Sequence, residues 1–331
     1  MKNKKISFII IAIVTALVLY VSLKDNYSLI LNAILGINKL WLILGFVFLF
    51  AYYIIRSISI YELAKQFNKD YKLKDAFRLI LETNFFHAIT PFASGGQPYE
   101  IYSLTKKKIK MSDSMTIAIS DFIIYQIALV FLGIVALTSN SIFKIIDNNF
   151  MRHLVNLGFI INAGVITVLL LISLSKKTDK TIVDFFINIL SEIKIIKDKE
   201  KTKEKFHDYL KDFNNGSKLL YKNKTKFLIL TISQFLALSF FYLVPFCILM
   251  GIGIKINIAR CIVVMAYVML VGSFVPIPGG TGGLEYTFVI FFSKYIDGPI
   301  ISAVMLLWRF ITYYFGMILG AVLLNVKGHK K

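Results

Sequence analysis

PFASGGQPYE at positions 91–100 and PIPGGTGGLE at positions 276–285 are proline- and glycine-rich stretches in an otherwise apolar chain. Each runs from a proline to a glutamate, and the two are offset by 185 positions at both ends (276 − 91 and 285 − 100). This matching offset indicates two halves that each interrupt a membrane helix with a polar, flexible turn. Non-helical backbone at membrane depth is tolerated only where protein buries it or a water-filled cavity hydrates it. Paired interruptions of this kind predict a transport site.

The composition of the chain sets its class. Hydrophobic residues make up 57% of the 331 positions and the mean hydropathy is +0.70, which excludes a water-soluble globule. The formal net charge is +19, but the lysines lie beside apolar segments and no nucleic-acid recognition motif accompanies them. We therefore expect anionic membrane lipid, and no nucleic acid, as the partner. Cys247 and Cys261 have neither metal-site nor disulfide spacing, and we predict no metal and no cofactor.

The lengths of the apolar runs predict the membrane crossings, because roughly 20 mostly apolar residues span the hydrocarbon core. Six crossings are predicted, at 6–23, 40–56, 115–138, 154–174, 227–250 and 300–326. Orientation follows from lysine and arginine in the connections. Basic residues concentrate at the amino terminus, at 65–78, at 106–110, after position 176 and in the tail. We therefore predict a multi-pass plasma-membrane protein with both termini in the cytoplasm.

This orientation predicts the path of the two interrupted segments. Lys74 and Lys106 flank the first on the cytoplasmic side, so a re-entrant hairpin near 76–105 must enter the membrane and return. A second re-entrant hairpin, near 258–295, must enter and return from outside. The predicted fold is an all-α polytopic helix bundle with two inverted repeats, 40–138 and 227–326. The alternative is that the glycine-rich segments are loops outside the membrane.

The predicted organisation has three parts, which are an N-terminal membrane half (1–175), a connector (176–226) and a C-terminal membrane half (227–331). The connector contains 14 lysines and 8 acidic residues, with apolar residues at helical spacing. An amphipathic helix on the inner leaflet fits this pattern, and so does a helical pair that packs on itself. The connector lacks a nucleotide-binding loop, a metal cluster and a nucleophile constellation, so we predict no catalytic domain there.

Ionisable residues at membrane depth are the candidate functional residues, because burying them is costly and they usually face a cavity or a partner. Glu100 and Glu285 each follow a glycine turn at the start of a returning helix, where a carboxylate is also favourable as a helix-end charge. Asp121 and Arg309 lie in the crossings after the hairpins, where they could pair or could meet a zwitterionic or anionic ligand.

The glycine turns are candidates for binding a phosphate. Glycine allows positive φ and close approach of a ligand, and exposed N–H groups in such turns can hold a phosphate. PGGTGG lacks the Lys-Ser/Thr pair of a nucleotide-binding loop. We assign the carboxylates to a cationic headgroup or a proton, the arginines to a phosphate, and no residue to catalysis. The predicted binding residues are Arg78, Asn84, Pro91, Gly95, Gly96, Glu100, Asp121, Pro276, Pro278, Gly279, Gly280, Gly282, Gly283, Glu285 and Arg309.

Several of these motifs together resemble a known family. Arg78 with Asn84, PFASGGQPYE, VPIPGGTGGLEYTF at 275–288 and Arg309 are similar to the membrane domain of lysylphosphatidylglycerol synthases and related stand-alone flippase-like proteins. The resemblance covers nearly the whole chain. It implies movement of an aminoacylated or glycosylated lipid between leaflets. In full-length synthases it implies resistance to cationic antimicrobial peptides through lysine-modified phosphatidylglycerol.

The same resemblance leaves a second function class open. The full-length synthases carry a soluble aminoacyl-transfer domain after the membrane part, whereas this chain stops at Lys331. We therefore expect no aminoacyl transfer by this chain alone. The alternative is a component of a phosphatidylglycerol lysyltransferase, or an accessory subunit of a glycosyltransferase, that works with a separate catalytic chain.

Overall fold

The computed structural model describes residues 27–90, 93–174, 221–272, 280–296 and 298–325, together with a few isolated positions between 184 and 217. The regular secondary structure of these residues is helical. The predicted first crossing (6–23) and most of the predicted connector (176–226) lie outside the described residues. Four predicted binding residues lie outside them as well, namely Pro91, Pro276, Pro278 and Gly279.

The described helices fall into two groups along the chain. The first group contains α1 (Tyr27–Leu35), α2 (Lys39–Ala64), α3 (Leu73–Ala88), α4 (Gly96–Lys106), α5 (Met111–Phe143) and α6 (Asn149–Leu174). The second contains α7 (Lys224–Tyr242), α8 (Val244–Gly251), α9 (Ile258–Gly272), α10 (Gly283–Phe292), α11 (Ile300–Arg309), a π-helical turn (Phe310–Tyr314) and α12 (Phe315–Asn325).

Among the described residues, five helical stretches are long and apolar enough to cross a membrane. They are Lys39–Ala64, Met111–Phe143, Asn149–Leu171, Lys224–Gly251 and Ile300–Asn325. Five predicted crossings coincide with them, because the length of an apolar run can be read from the sequence without knowing any tertiary contact. The prediction of a polytopic helical bundle is therefore confirmed.

The outer faces of the long helices are apolar. On α2, Leu40, Ile43 and Val47 are more than half exposed, at the three- and four-residue spacing of one helix face. On α7, Leu228, Ile229 and Ile232 are similarly exposed. Contiguous apolar surface of this kind is unfavourable in water and marks contact with a membrane or a partner. The chain is a multi-pass membrane protein by these criteria.

Helices α3 and α4 form a helical hairpin, named hairpin 1. Its limbs pack through Phe86 and Tyr99, whose rings stack with centroids 4.2 Å apart. At its open end, Lys107 Nζ lies 2.9 Å from Asp75 Oδ1, and Asn68 Nδ2 donates to the Lys107 carbonyl at 2.9 Å. The open end of hairpin 1 therefore lies beside the segment that follows α2, four positions before α5 begins.

Helices α9 and α10 form a second helical hairpin, named hairpin 2. The guanidinium of Arg260, at its start, lies 5.5 Å from the ring centroids of both Phe143 and Tyr295. Lys294, at its end, pairs with Asp147 at 2.7 Å, and this hydrogen bond lowers the pKa of Asp147. Both limbs therefore end beside the last turn of α5.

Helix α5 separates the open ends of the two hairpins. It contains 33 residues, which corresponds to about 50 Å at 1.5 Å per residue. The open end of hairpin 1 lies at its start, near Met111, and the open end of hairpin 2 lies at its end, near Phe143. The hairpins thus enter the bundle from opposite ends.

Each hairpin packs on a long helix from the other half of the chain. Hairpin 2 contacts α5, where Tyr267 Oη donates to the Ala136 carbonyl at 2.6 Å. Hairpin 1 contacts α12, where Arg78 Nη2 donates to the Leu323 carbonyl at 2.6 Å. A Cβ atom at Gly320 would lie 3.0 Å from Phe85 Cβ and would overlap the Leu81 carbonyl oxygen. A small residue is required there, because the two backbones approach closely.

We expect Gly320→Ala to destabilise the protein by roughly 1–3 kcal/mol, because the added methyl meets a backbone carbonyl that cannot move independently. Gly164→Ala in α6 is the matched control, since its Cβ meets no described atom within 4 Å. There the better helix propensity of alanine should leave stability unchanged or raise it by up to about 1 kcal/mol. Thermal unfolding in detergent measures both, and equal midpoints for the two variants would contradict the close α3–α12 packing.

Candidate functional site

Four of the buried charged residues in the described part of the chain lie in two clusters beside the hairpin tips, and a fifth, Glu82, lies farther along α3. The hairpin-2 cluster contains Thr281, Glu285, Arg309 and Tyr313. The hairpin-1 cluster contains Arg56, Ser59, His87, Glu100 and Asp121. The sequence predicted Glu285, Arg309, Glu100 and Asp121 in these clusters, and the tertiary structure adds the remaining side chains.

A buried ion pair forms the centre of the hairpin-2 cluster. Arg309 Nε lies 2.7 Å from Glu285 Oε1, and the two side chains are only 5% and 7% exposed. Glu285 Oε2 accepts the N–H of Gly282 at 2.6 Å, which caps the start of α10. Glu285 therefore combines the helix-end role that the sequence offered with an ion pair to Arg309 that the sequence did not predict.

Tyr313 connects the hairpin-2 cluster to the tip of hairpin 1. The Arg309 guanidinium lies 4.2 Å from the Tyr313 ring centroid, and Arg309 Nη2 lies 3.4 Å from Thr281 Oγ1. Tyr313 Oη donates to the Ala88 carbonyl at 3.1 Å, at the last residue of α3. Tyr313 belongs to the π-helical turn, a local geometry that is frequent at functional sites. The sequence interpretation missed Tyr313, although it lies only four positions after Arg309 on the same helical stretch.

Asp121 is the centre of the hairpin-1 cluster. It is 1% exposed, forms an ion pair with Arg56 and accepts the hydroxyl of Ser59 at 3.0 Å. Asp121 and Arg309 therefore do not pair with each other. The sequence interpretation missed Arg56 because it ended that crossing at residue 56. Helix α2 continues to Ala64, and this places Arg56 inside the helix, where it faces α5.

Glu100 lies beside this pair and has no ion-pair partner among the described residues. It is 5% exposed on α4 and interacts electrostatically with Asp121 and Arg56. Its Oε1 atom is buried and has no hydrogen-bond partner among the described residues. Within the described part of the chain, the site therefore holds a buried carboxyl group with at least one oxygen atom that no protein group satisfies.

The turn of hairpin 1 differs from the glycine-based turn that the sequence suggested. Ala93 adopts the positive φ of 53°, whereas Gly95 has a φ of −80°. The N–H of Gly95 donates to Thr90 Oγ1 at 2.8 Å, so that donor is occupied by the protein. A Cβ at Gly96 would overlap the His87 ring, whose Nδ1 donates to the Ala93 carbonyl at 2.5 Å. The glycines of this turn provide space for His87 and Thr90.

The turn of hairpin 2 follows the expectation. Gly280 has a φ of 63° and Gly282 a φ of 89°, conformations that favour glycine. Gly283 begins α10, so the first N–H groups of that helix face the turn. These donors lie beside Glu285 and the guanidinium of Arg309.

Arg78 and Asn84 lie on α3, farther from the hairpin tips. Arg78 Nε pairs with Glu82 Oε1 at 2.7 Å, and the hydroxyl of Tyr99 donates to Glu82 Oε2 at 2.5 Å. Arg78 thus holds together hairpin 1 and, through the Leu323 carbonyl, α12. Asn84 Nδ2 is buried near Gly316 and has no hydrogen-bond partner in the described part of the chain.

Comparison with known proteins gives two matches that extend over nearly the full chain. Residues 7–320 match the family described as the lysylphosphatidylglycerol synthase TM region. A UPF0104 membrane protein of Archaeoglobus fulgidus is 23% identical over 326 residues, which cover 95% of this chain and 94% of that relative. The matched residues include both hairpins and Arg309.

We expect the Glu285–Arg309 pair to show a large coupling energy in a double-mutant cycle. Glu285→Gln or Arg309→Gln alone should destabilise the protein by roughly 3–5 kcal/mol, because each leaves a buried charge without its partner. The double variant should lose much less than the sum of the two. Unfolding of the purified protein in detergent, followed against denaturant, measures these differences.

The Glu62–Lys226 pair is the control for this cycle. These side chains are 2.7 Å apart but 35% and 28% exposed, so about 0.2–1 kcal/mol of coupling is expected. Equal coupling energies for the two pairs would show that Glu285 and Arg309 contribute no more than surface charges.

Proposed function

Because the chain belongs to the lysylphosphatidylglycerol synthase TM region family, we propose that it moves an aminoacylated or glycosylated lipid between the leaflets of the plasma membrane. The observation that carries the proposal is the position of the two buried charge clusters. They lie at the tips of two hairpins whose open ends are at opposite ends of α5. The family membership confirms the resemblance drawn from the Pro-Gly motifs and Arg309.

A path for a lipid headgroup requires polar groups at membrane depth, because a charge moved into hydrocarbon without partners is costly. The hairpin tips supply such groups to a headgroup approaching from either end. Helix N-termini add partial positive charge there, since α4 begins at Gly96 and α10 at Gly283. Short helices that end at membrane depth are used in this way by transporters for anionic substrate groups.

The proposed topology is an inverted repeat with two re-entrant hairpins. In it, hairpin 1 opens to the cytoplasm, hairpin 2 opens to the outside, and both termini are cytoplasmic. Two observations support this arrangement. Basic residues are in excess near the open end of hairpin 1, and α5 separates the open ends of the two hairpins.

In the proposed mechanism, the charged residues exchange partners with the headgroup. Arg309 is released from Glu285 when a lipid phosphate approaches, and Glu285 then meets a cationic group such as a lysyl ammonium. The guanidinium can bind a phosphate through two parallel hydrogen bonds, as it binds a carboxylate. Tyr313 keeps Arg309 in place beside the tip of hairpin 1 during this exchange. Glu100 and Asp121 offer further carboxylates to a cationic headgroup or a proton.

The function is tested in vesicles that contain lysylphosphatidylglycerol or a glycosylated lipid in a phosphatidylcholine background. Exposure of the lysyl amine is followed with a membrane-impermeant amine reagent, and exposure of the sugar with an impermeant oxidant. We expect the protein to accelerate exposure of at least one lipid relative to protein-free vesicles. Equal rates with and without protein for both lipids would contradict the proposal.

Glu285→Gln should slow this exposure by at least about tenfold, since 1.4 kcal/mol of lost interaction corresponds to a factor of ten. Glu62→Gln makes the same substitution at the surface and should leave the rate unchanged. Thermal stability is measured alongside, so that a slow but folded variant is distinguished from an unfolded one. A folded Glu285→Gln variant with the normal rate would remove Glu285 from the mechanism.

The topology is tested with single cysteines in a background that lacks Cys247 and Cys261. Lys110→Cys should react with an impermeant thiol reagent only after the membrane is permeabilised, and Asn149→Cys should react in intact cells. Both positions are exposed, Lys110 just before α5 and Asn149 at the start of α6. Ser94→Cys, at the tip of hairpin 1, should not react freely from outside. Free labelling of all three from outside would contradict the inverted arrangement.

A further inference from the structure

The two hairpin clusters differ in their balance of charge. At hairpin 2, Glu285 meets one guanidinium, that of Arg309, and the pair is neutral. Glu100 occupies the corresponding position of hairpin 1, 185 residues earlier. There the following helix supplies Asp121, a second carboxylate, and Arg56 is the cation beside both. With both carboxyl groups ionised, the hairpin-1 cluster would carry a buried net charge of −1.

The position of Arg56 decides which carboxyl group it neutralises. Its guanidinium is bound to Asp121, and Ser59 donates a further hydrogen bond to the same carboxylate. Glu100 forms no ion pair within 4.0 Å among the described residues, and its Oε1 atom has no hydrogen-bond partner there. The surplus charge therefore falls on Glu100.

The remaining titratable groups around Glu100 do not neutralise it. His87 of α3 donates its Nδ1 proton to the Ala93 carbonyl, and Glu82 of the same helix is bound to Arg78 and Tyr99. Tyr71, between α2 and α3, interacts electrostatically with Glu100, and Tyr125 of α5 interacts with Arg56. None of these groups brings a positive charge to Glu100.

A proton can neutralise this carboxyl group without any further ligand from the protein. Burying an ionised carboxylate without a partner is far more costly than burying the neutral acid. A metal cation needs several oxygen ligands around it. The described residues contain no group of three or more His, Cys, Asp or Glu side chains placed to hold one. A proton needs only one oxygen atom.

We propose that Glu100 is a proton-binding site through which lipid movement is coupled to the transmembrane proton gradient. This inference rests on the proposed function. In each cycle the O–H bond of the Glu100 carboxyl group breaks, the proton passes to water at one face of the membrane, and a proton from the other face re-forms the bond. Arg56 stabilises the transient carboxylate, since it already lies beside it. No electrons are transferred and no other reactant is needed.

The coupling is tested in vesicles that contain lysylphosphatidylglycerol or a glycosylated lipid, with and without an imposed pH gradient. We expect the gradient to raise the rate of lipid exposure in wild type severalfold, and a protonophore to abolish that increase. Glu100→Gln should show one rate under all three conditions, because glutamine resembles the neutral acid but cannot release a proton. Glu62→Gln, at the surface, should keep the full response to the gradient.

A second measurement locates the proton without any transport. Infrared spectra of the purified protein at neutral pH should contain a protonated-carboxyl band that shifts in deuterium oxide. This band should be absent in Glu100→Gln. It should remain in Glu285→Gln, because Glu285 of the wild type is a carboxylate paired with Arg309 and does not contribute to the band. Since Glu100→Gln breaks no ion pair, the variant should fold, and thermal unfolding checks this.

The outcomes separate this inference from the proposed function. Wild-type lipid movement with no response to the gradient, or a gradient response that persists in Glu100→Gln, overturns the coupling and leaves lipid movement in place. Absence of lipid movement in wild type contradicts the proposed function. In that case the infrared band decides the proton site by itself, because loss of the band in Glu100→Gln supports it and persistence overturns it.

Discussion

The buried guanidinium of Arg309 joins the two halves of this bundle at their centre. It pairs with Glu285 in hairpin 2 and lies against the ring of Tyr313, whose hydroxyl is bonded to the end of α3 in hairpin 1. A charge so deeply buried must keep a partner, because an unpaired one costs several kcal/mol. Both hairpin tips are therefore attached to the last membrane-spanning stretch. A movement of one tip would displace the other through Arg309 and Tyr313.

A difference in charge gives the two hairpins different chemistry. Glu285 and Glu100 both follow the turn of their hairpin, but within the described residues only Glu285 is paired with a guanidinium, that of Arg309. At hairpin 1 the cation, Arg56, comes from the preceding long helix and is already bound to Asp121. A neutral pair suits exchange with a lipid phosphate, whereas an uncompensated carboxyl group suits a proton. The division of roles proposed for the two tips follows from this difference in partners.

Each hairpin packs on a helix from the other half of the chain, and these contacts hold the two halves together. Gly320 lets α12 approach α3 closely, and the Tyr267 hydroxyl fixes α9 to α5. Hairpin 1 is therefore attached to a helix that follows hairpin 2, and hairpin 2 to a helix that follows hairpin 1. Close contacts between packed helices have discrete arrangements rather than continuous ones, which is the property that a two-state carrier needs.

The sequence by itself determined the family, the helical class and five of the crossings. Apolar runs and Pro-Gly interruptions consist of contiguous residues, so they can be recognised without tertiary contacts. It also singled out Glu285, Arg309, Glu100 and Asp121, which are buried charged residues in the structure. Only the tertiary structure decided their partners. Arg56 is 65 positions from Asp121, and Tyr313 is 225 positions from Ala88, so no local pattern connects them. The positive φ at Ala93, where the sequence suggested glycine, has the same origin, because the contacts that hold Thr90 and His87 against Gly95 and Gly96 exist only once the hairpin has folded.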